Sequence, residues 1–136
     1  EKFSIDLNYI GIAGASSGGL ACFYLSLVYP NIFKFSFVFS PANGVFSDET
    51  FIKLYKTMEF KNKNVPYIYY YQGGTGSVES LLYKGNLNFV NNLIQAGYPQ
   101  EKIESYINES FRHNEIAWRL AFVNAMDWIM NVNEKK

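Results

Sequence analysis

The sequence predicts an α/β fold built on a parallel sheet, and three observations predict it. Strand-like and helix-like segments alternate four times along the 136 residues, the order that lays helices on the faces of a parallel sheet. Two of the strands run into glycine-rich turns, Gly14–Gly19 and Gln72–Glu79. Hydrophobic residues make up 49% and charged residues 18%, an ordinary globular balance in a chain the size of one domain. The domain is therefore read as single, spanning 1–136.

Taken in order, a polar leader, Glu1 to Asn8, precedes Tyr9–Ala13, a compact apolar run read as a buried strand. Ser17 to Tyr29 carries Leu20, Phe23, Tyr24, Leu27 and Val28 on nearly every face, the pattern of a helix buried on all sides. Pro30 stops it. Lys34–Phe39 is the second strand, followed by a Ser40–Gly44 loop and a short helix over Asp48 to Met58. Val65–Tyr71, aromatic and β-branched, is the third strand. Glu79 to Ala96 is an amphipathic helix closed by Gly97, with Pro99 beyond it. Ile103–Ile107 is the fourth strand, Asn108–Asn114 a loop, and Glu115 to Val132 the last helix. That helix has Ile116, Leu120 and Val123 on one side and Trp118, Phe122, Ala125 and Ile129 on the next.

Several function classes fall away on composition. Twelve basic residues balance twelve acidic ones, so there is no electrostatic footprint for nucleic acid. One cysteine, Cys22, and one histidine, His113, exclude an internal disulfide framework and two-histidine metal motifs. No apolar run is long enough to span a membrane and no signal peptide opens the chain. The chain is placed in the cytoplasm, although a lone cysteine fits either redox compartment. A start at Glu1 rather than Met reads as a processed chain or a piece of a longer one.

In a parallel sheet the ligand site lies beyond the strand C-termini. Three loops meet that description: Gly14–Gly19, Gln72–Glu79 and Asn108–Asn114. The first admits three readings. A phosphate-binding loop needs Lys after its last glycine, and Leu20 stands there. A dinucleotide fold needs an acid about 20 residues on, and none occurs between Leu7 and Ser47. Gly14-x-Ser16-x-Gly18 instead has the pattern of a nucleophile elbow, where a serine sits on a strained turn between strand and helix. Glycines at the flanks make room where strand and helix approach. The N–H of Ser17 would be one oxyanion donor. Chance gives about 0.06 such matches at this glycine and serine content. A small-residue turn that only packs helix on sheet is the bland alternative.

His113 follows the serine in chain order, after the last strand, where a hydrolase places its general base. An imidazole of pKa near ~6.5 can accept the serine proton and return it to a leaving group. The acid of such a triad belongs between them. Glu79 is the one acid in the loop after the third strand, and Asp48 after the second is the runner-up. A lone loop histidine and a first-turn glutamate aided by the helix dipole are the corresponding bland readings.

Gly14-Ala15-Ser16-Ser17-Gly18-Gly19-Leu20, Tyr29-Pro30, Phe39-Ser40-Pro41 and His113-Asn114-Glu115-Ile116-Ala117-Trp118 together resemble the esterase family of α/β-hydrolases. That family includes esterase D, enterochelin-esterase-like proteins and feruloyl-type esterases. The resemblance covers nearly the whole chain. It implies Ser16 as nucleophile, His113 as base, and hydrolysis of carboxylic esters or thioesters without metal or organic cofactor. Two positions depart from the family. Its acid usually lies within a residue or two of the glycine turn, where Thr75, Gly76 and Ser77 stand here, so Glu79 is displaced; Ser17 stands where many members have Met. The family domain also has strands before the elbow, including the loop that supplies the second oxyanion N–H. The resemblance thus implies a partial α/β-hydrolase fold of about four parallel strands with helices on both faces, the N-terminal strands of the domain missing. The elbow strand should lie beside Lys34–Phe39 with its other edge open, needing an N-terminal half or a homo-oligomeric partner to cover it. Rival functions are a non-catalytic interaction module on the same fold and a nucleotide binder using the glycine loops.

Overall fold

The computed structural model describes residues 3–43, 48–57 and 64–134. Its elements are β1 (Ile10–Ala15), α1 (Ser17–Val28), β2 (Phe33–Phe39), α2 (Asp48–Thr57), β3 (Tyr67–Gly73), α3 (Ser77–Gln95), β4 (Ile103–Asn108) and α4 (Glu115–Glu134), with a 3-10 turn over Gln100–Lys102 before β4. The strands form one parallel sheet in the order β1-β2-β3-β4. The expected alternation and the pairing of the elbow strand with β2 are both present, and most boundaries fall within two residues of those read from the sequence.

Side chains on a strand alternate between faces, and the aromatic strands use this to build two cores. Val38, Ile68 and Tyr70 face α1 and α3, meeting Cys22, Phe23, Leu27, Phe89 and Leu93. Phe37, Phe39, Tyr69 and Tyr71 face the other way, under α4. Helices therefore cover both faces. Tyr70 stacks on Phe89 with ring centroids 5.7 Å apart, and Phe23 meets Phe89 edge-on. The tyrosines of β3 are thus largely spent on packing. Gly97, at φ +101°, lets the chain turn back after α3, its N–H donating to the Ile94 carbonyl at 2.9 Å.

Periodicity leaves open which side of α4 faces the sheet, and α1 departs from expectation. Residues Ala117, Ala121, Ala125 and Ile129 of α4 are buried, whereas Ile116, Leu120 and Val123 face outward. The sheet beneath is surfaced with large rings, so the helix comes close only along its small side chains; Phe122 reaches Phe37 and Phe39 from the flank. Helix α1 is not buried on all sides: Tyr24 is 47% exposed. It lies over β1, which has a ladder partner on one side only among the described residues. No helix among them is long and apolar enough to cross a membrane.

Candidate active site

The turn between β1 and α1 is a single residue, Ser16. Its backbone sits at φ 55°, ψ −124°, a conformation that costs a non-glycine residue ~1–3 kcal/mol. Bonds to the end of β2 hold it there. The Ser16 N–H donates to the Phe39 carbonyl at 2.9 Å, and its own carbonyl accepts from the Ala42 N–H at 3.1 Å. A Cβ on Gly14 would lie 2.4 Å from the Gly18 carbonyl oxygen, so strand and helix touch there only because Gly14 has none. Gly18 itself has open space where its Cβ would be; its part in the close approach is its carbonyl. Ser17 is the first residue of α1, where a backbone N–H has no acceptor within the helix.

Glu79 lies in the first turn of α3 and is completely buried. A buried carboxylate requires donors, and three groups converge on it. Ser40 Oγ donates to Oε1. Gln72 Nε2 donates to Oε2 at 2.7 Å. His113 Nδ1 lies 3.4 Å from the same Oε2. That approach is longer than a formed hydrogen bond, and Nδ1 has no other partner among the described residues. Such contacts are often loose without substrate. Gly73 makes the convergence possible, since a Cβ there would meet the Phe111 carbonyl at 2.6 Å and Glu79 Oε1 at 2.7 Å.

The loop carrying His113 is tied to the glycine turn after β3. The Phe111 carbonyl accepts from the N–H groups of Gly74 and Thr75, both at 3.1 Å. Asn114 then starts α4, its Oδ1 accepting the Ala117 N–H at 3.1 Å, the capping role Asn favours. Trp118, one turn on, stands edge-to-face on the His113 ring at 4.9 Å. Its indole N–H reaches Ser40 Oγ at 3.3 Å. Ser40, at φ 39°, therefore touches both the carboxylate and the ring that braces the imidazole. A cavity of about 210 Å³ opens beside this pair, lined by Thr75, Ser77, Val78 and Arg112 as well as Glu79 and His113.

Of the residues singled out in the sequence, Glu79 and His113 are brought into contact, and Phe39-Ser40 joins the Ser16 turn to them. Asp48, the alternative acid, opens α2; its side chain lies outside the described residues. The supporting side chains of Ser40, Gln72 and Asn86 were not assigned roles from sequence. Asn86 is the one polar position on the stripe Leu82-Asn86-Phe89-Leu93, all buried, and that interruption is the signal that could have found it.

No family model matches the chain, and no curated protein matches it in sequence. Solved structures do match in shape. The ferric enterobactin esterase of Salmonella typhimurium superposes with a TM-score of 0.64 at 21% identity, over 83% of this chain and 28% of that one. The enterobactin esterase of Shigella flexneri gives 0.66 at 21% identity, over 88% and 31%. A ferulic acid esterase gives 0.63 at 14% identity, over 93% and 52%. The chain therefore shares a partial α/β fold with these proteins, and it spans between about a quarter and a half of their length.

Proposed function

We propose that the chain is the catalytic part of a serine hydrolase that cleaves carboxylic esters or thioesters. In this reading Ser16 Oγ attacks the acyl carbon as His113 Nε2 takes its proton. The oxyanion is held by the Ser17 N–H at the start of α1, where the helix dipole favours negative charge. Collapse expels the alcohol or thiol, which takes the proton from Nε2. Water then repeats the sequence on the acyl-enzyme and frees the acid. Glu79 orients the imidazole through Nδ1 and stabilises its charged form.

The observation that carries this reading is the 3.4 Å pairing of the fully buried Glu79 with His113 Nδ1, which leaves Nε2 for a nucleophile. The strained Ser16 turn supports it. We place the whole of 1–136 in one partial domain whose open β1 edge is covered by the remainder of a hydrolase domain or by a second copy. In the intact protein, a fluorophosphonate should label Ser16, and Ser16→Ala should remove ester hydrolysis by on the order of 10⁶ in kcat without unfolding. An unlabelled serine in a folded protein would favour the non-catalytic interaction module instead.

A further inference from the structure

We propose that Gln72 and Asn86 are positioning residues that fix which face of the Glu79 carboxylate meets His113; this rests on the serine-hydrolase reading. Both side chains are completely buried; Gln72 stands at the end of β3, where the glycine loop begins, and Asn86 lies two turns into α3. Asn86 Nδ2 donates to the Pro41 carbonyl at 2.9 Å and to Gln72 Oε1 at 2.5 Å. Gln72 Nε2 donates in turn to the Gly73 carbonyl at 2.8 Å and to Glu79 Oε2 at 2.7 Å. Glu79 Oε2 is the oxygen that faces His113.

The polarity of this chain is forced. A backbone carbonyl can only accept, so the Pro41 carbonyl requires the NH₂ end of Asn86, and the Gly73 carbonyl requires the NH₂ end of Gln72. With both amides set, Gln72 must present donors to Glu79. Turning the Gln72 amide over would press its oxygen against two acceptors, the carboxylate and the Gly73 carbonyl, and leave both unpaired in a dry interior, where each such loss is costly. Ser40 holds the other oxygen. The carboxylate is therefore clamped by neutral donors on both sides, and its remaining acceptor direction on Oε2 is left for the imidazole. A helix-borne glutamate has one more rotatable bond than an aspartate, and the amide pair removes that freedom.

The test is made in the intact protein with an activated ester, across roughly pH 6 to 9. Tyr70 and Tyr71, the phenols that feel Glu79, stay neutral there because burial raises both. Gln72→Leu should lower kcat about 10–100-fold, the loss typical of removing a group that orients a functional side chain, with KM within twofold. Gln72→Glu keeps the shape but donates only when protonated. Its kcat relative to wild type should fall as pH rises, because two adjacent carboxylates resist ionising together. Asn86→Leu, one step farther from the imidazole, should lower kcat in the same sense but less. Crystal structures of Gln72→Leu and Asn86→Leu, which need no activity, should show Glu79 turned off His113. An unmoved carboxylate, or a Gln72→Glu profile parallel to wild type with Gln72→Leu undiminished, would overturn the proposal. If the wild type proves inactive or Ser16→Ala remains active, the hydrolase reading fails instead, and the crystal structures still decide the clamp.

Discussion

The C-terminal ends of β2 and β3 and the outer flank of β1 follow opposite rules. At the first, polar groups are buried and paired: Ser40, Gln72, Glu79 and Asn86 are all inaccessible, and each makes at least one side-chain hydrogen bond. At the second, apolar groups are exposed: Phe3, Ile5 and Leu7 before β1, and Tyr24 and Val28 on α1. Burying a polar network is tolerable where its members are paired, and here the amide groups of Gln72 and Asn86 donate and the Glu79 carboxylate accepts, while Asn86 Oδ1 has no partner among the described residues. Exposing apolar surface has no benefit in water, and the outer flank of β1 is where we propose that the rest of the protein packs. The Ser16 turn, at the end of β1 and the start of α1, borders both regions, and substitutions in each region compare them.

Within this comparison the largest expected effect is at the buried network. Glu79→Gln in the intact protein should lower kcat by on the order of 10³–10⁴, since an amide cannot stabilise the imidazolium. Near wild-type turnover would leave Glu79 a structural acid and break the distinction. A second expectation compares the two regions directly. Phe37→Ala empties a site between β2 and α4 and should cost about 3–5 kcal/mol in denaturant unfolding. Val123→Ser, on the outward side of α4, should cost within about 0.5 kcal/mol; a markedly larger loss would show that α4's outer stripe is covered in the intact protein.

A third expectation concerns Cys22, whose thiol burial pushes up to about 11 from 9.0. The folded state prefers the neutral thiol, so its contribution is fully present below pH 9 and is lost as pH rises through about 11. In that window stability should fall by up to about 1.4 kcal/mol per pH unit, and Cys22→Ala should flatten the slope. A thiol that reacts with Ellman's reagent at pH 8 as fast as in urea would contradict its burial.

The alternation of strands and helices was legible because both periods are strong here: Phe37-Val38-Phe39 and Tyr69-Tyr70-Tyr71 are apolar on both faces, as strands sandwiched between helices must be. The contact of Glu79 with His113 was legible from chain order and the position of loops. The way Glu79 is held was not. Gln72 ends an aromatic strand and Asn86 interrupts an apolar helix stripe, and each alone is an unremarkable polar residue; only the register of β3 against α3 makes them neighbours. Which face of α4 turns inward was not legible for a related reason. Periodicity shows which residues share a face, but the aromatic bulk of the opposing sheet decides that the alanine face is the one turned inward.

Those alanines carry a consequence for the contact between Glu79 and His113. Helix α4 begins two residues after His113, and its first inward contact, Ala117, is the residue whose N–H is held by Asn114. The distance between helix and sheet is therefore set by a methyl group at the point where the imidazole is anchored. A bulkier side chain at this position would lift the first turn of α4, and with it His113 and the indole that braces it. Side-chain volume at one inaccessible position, four residues along from His113, thus bears on how near the imidazole can come to its carboxylate.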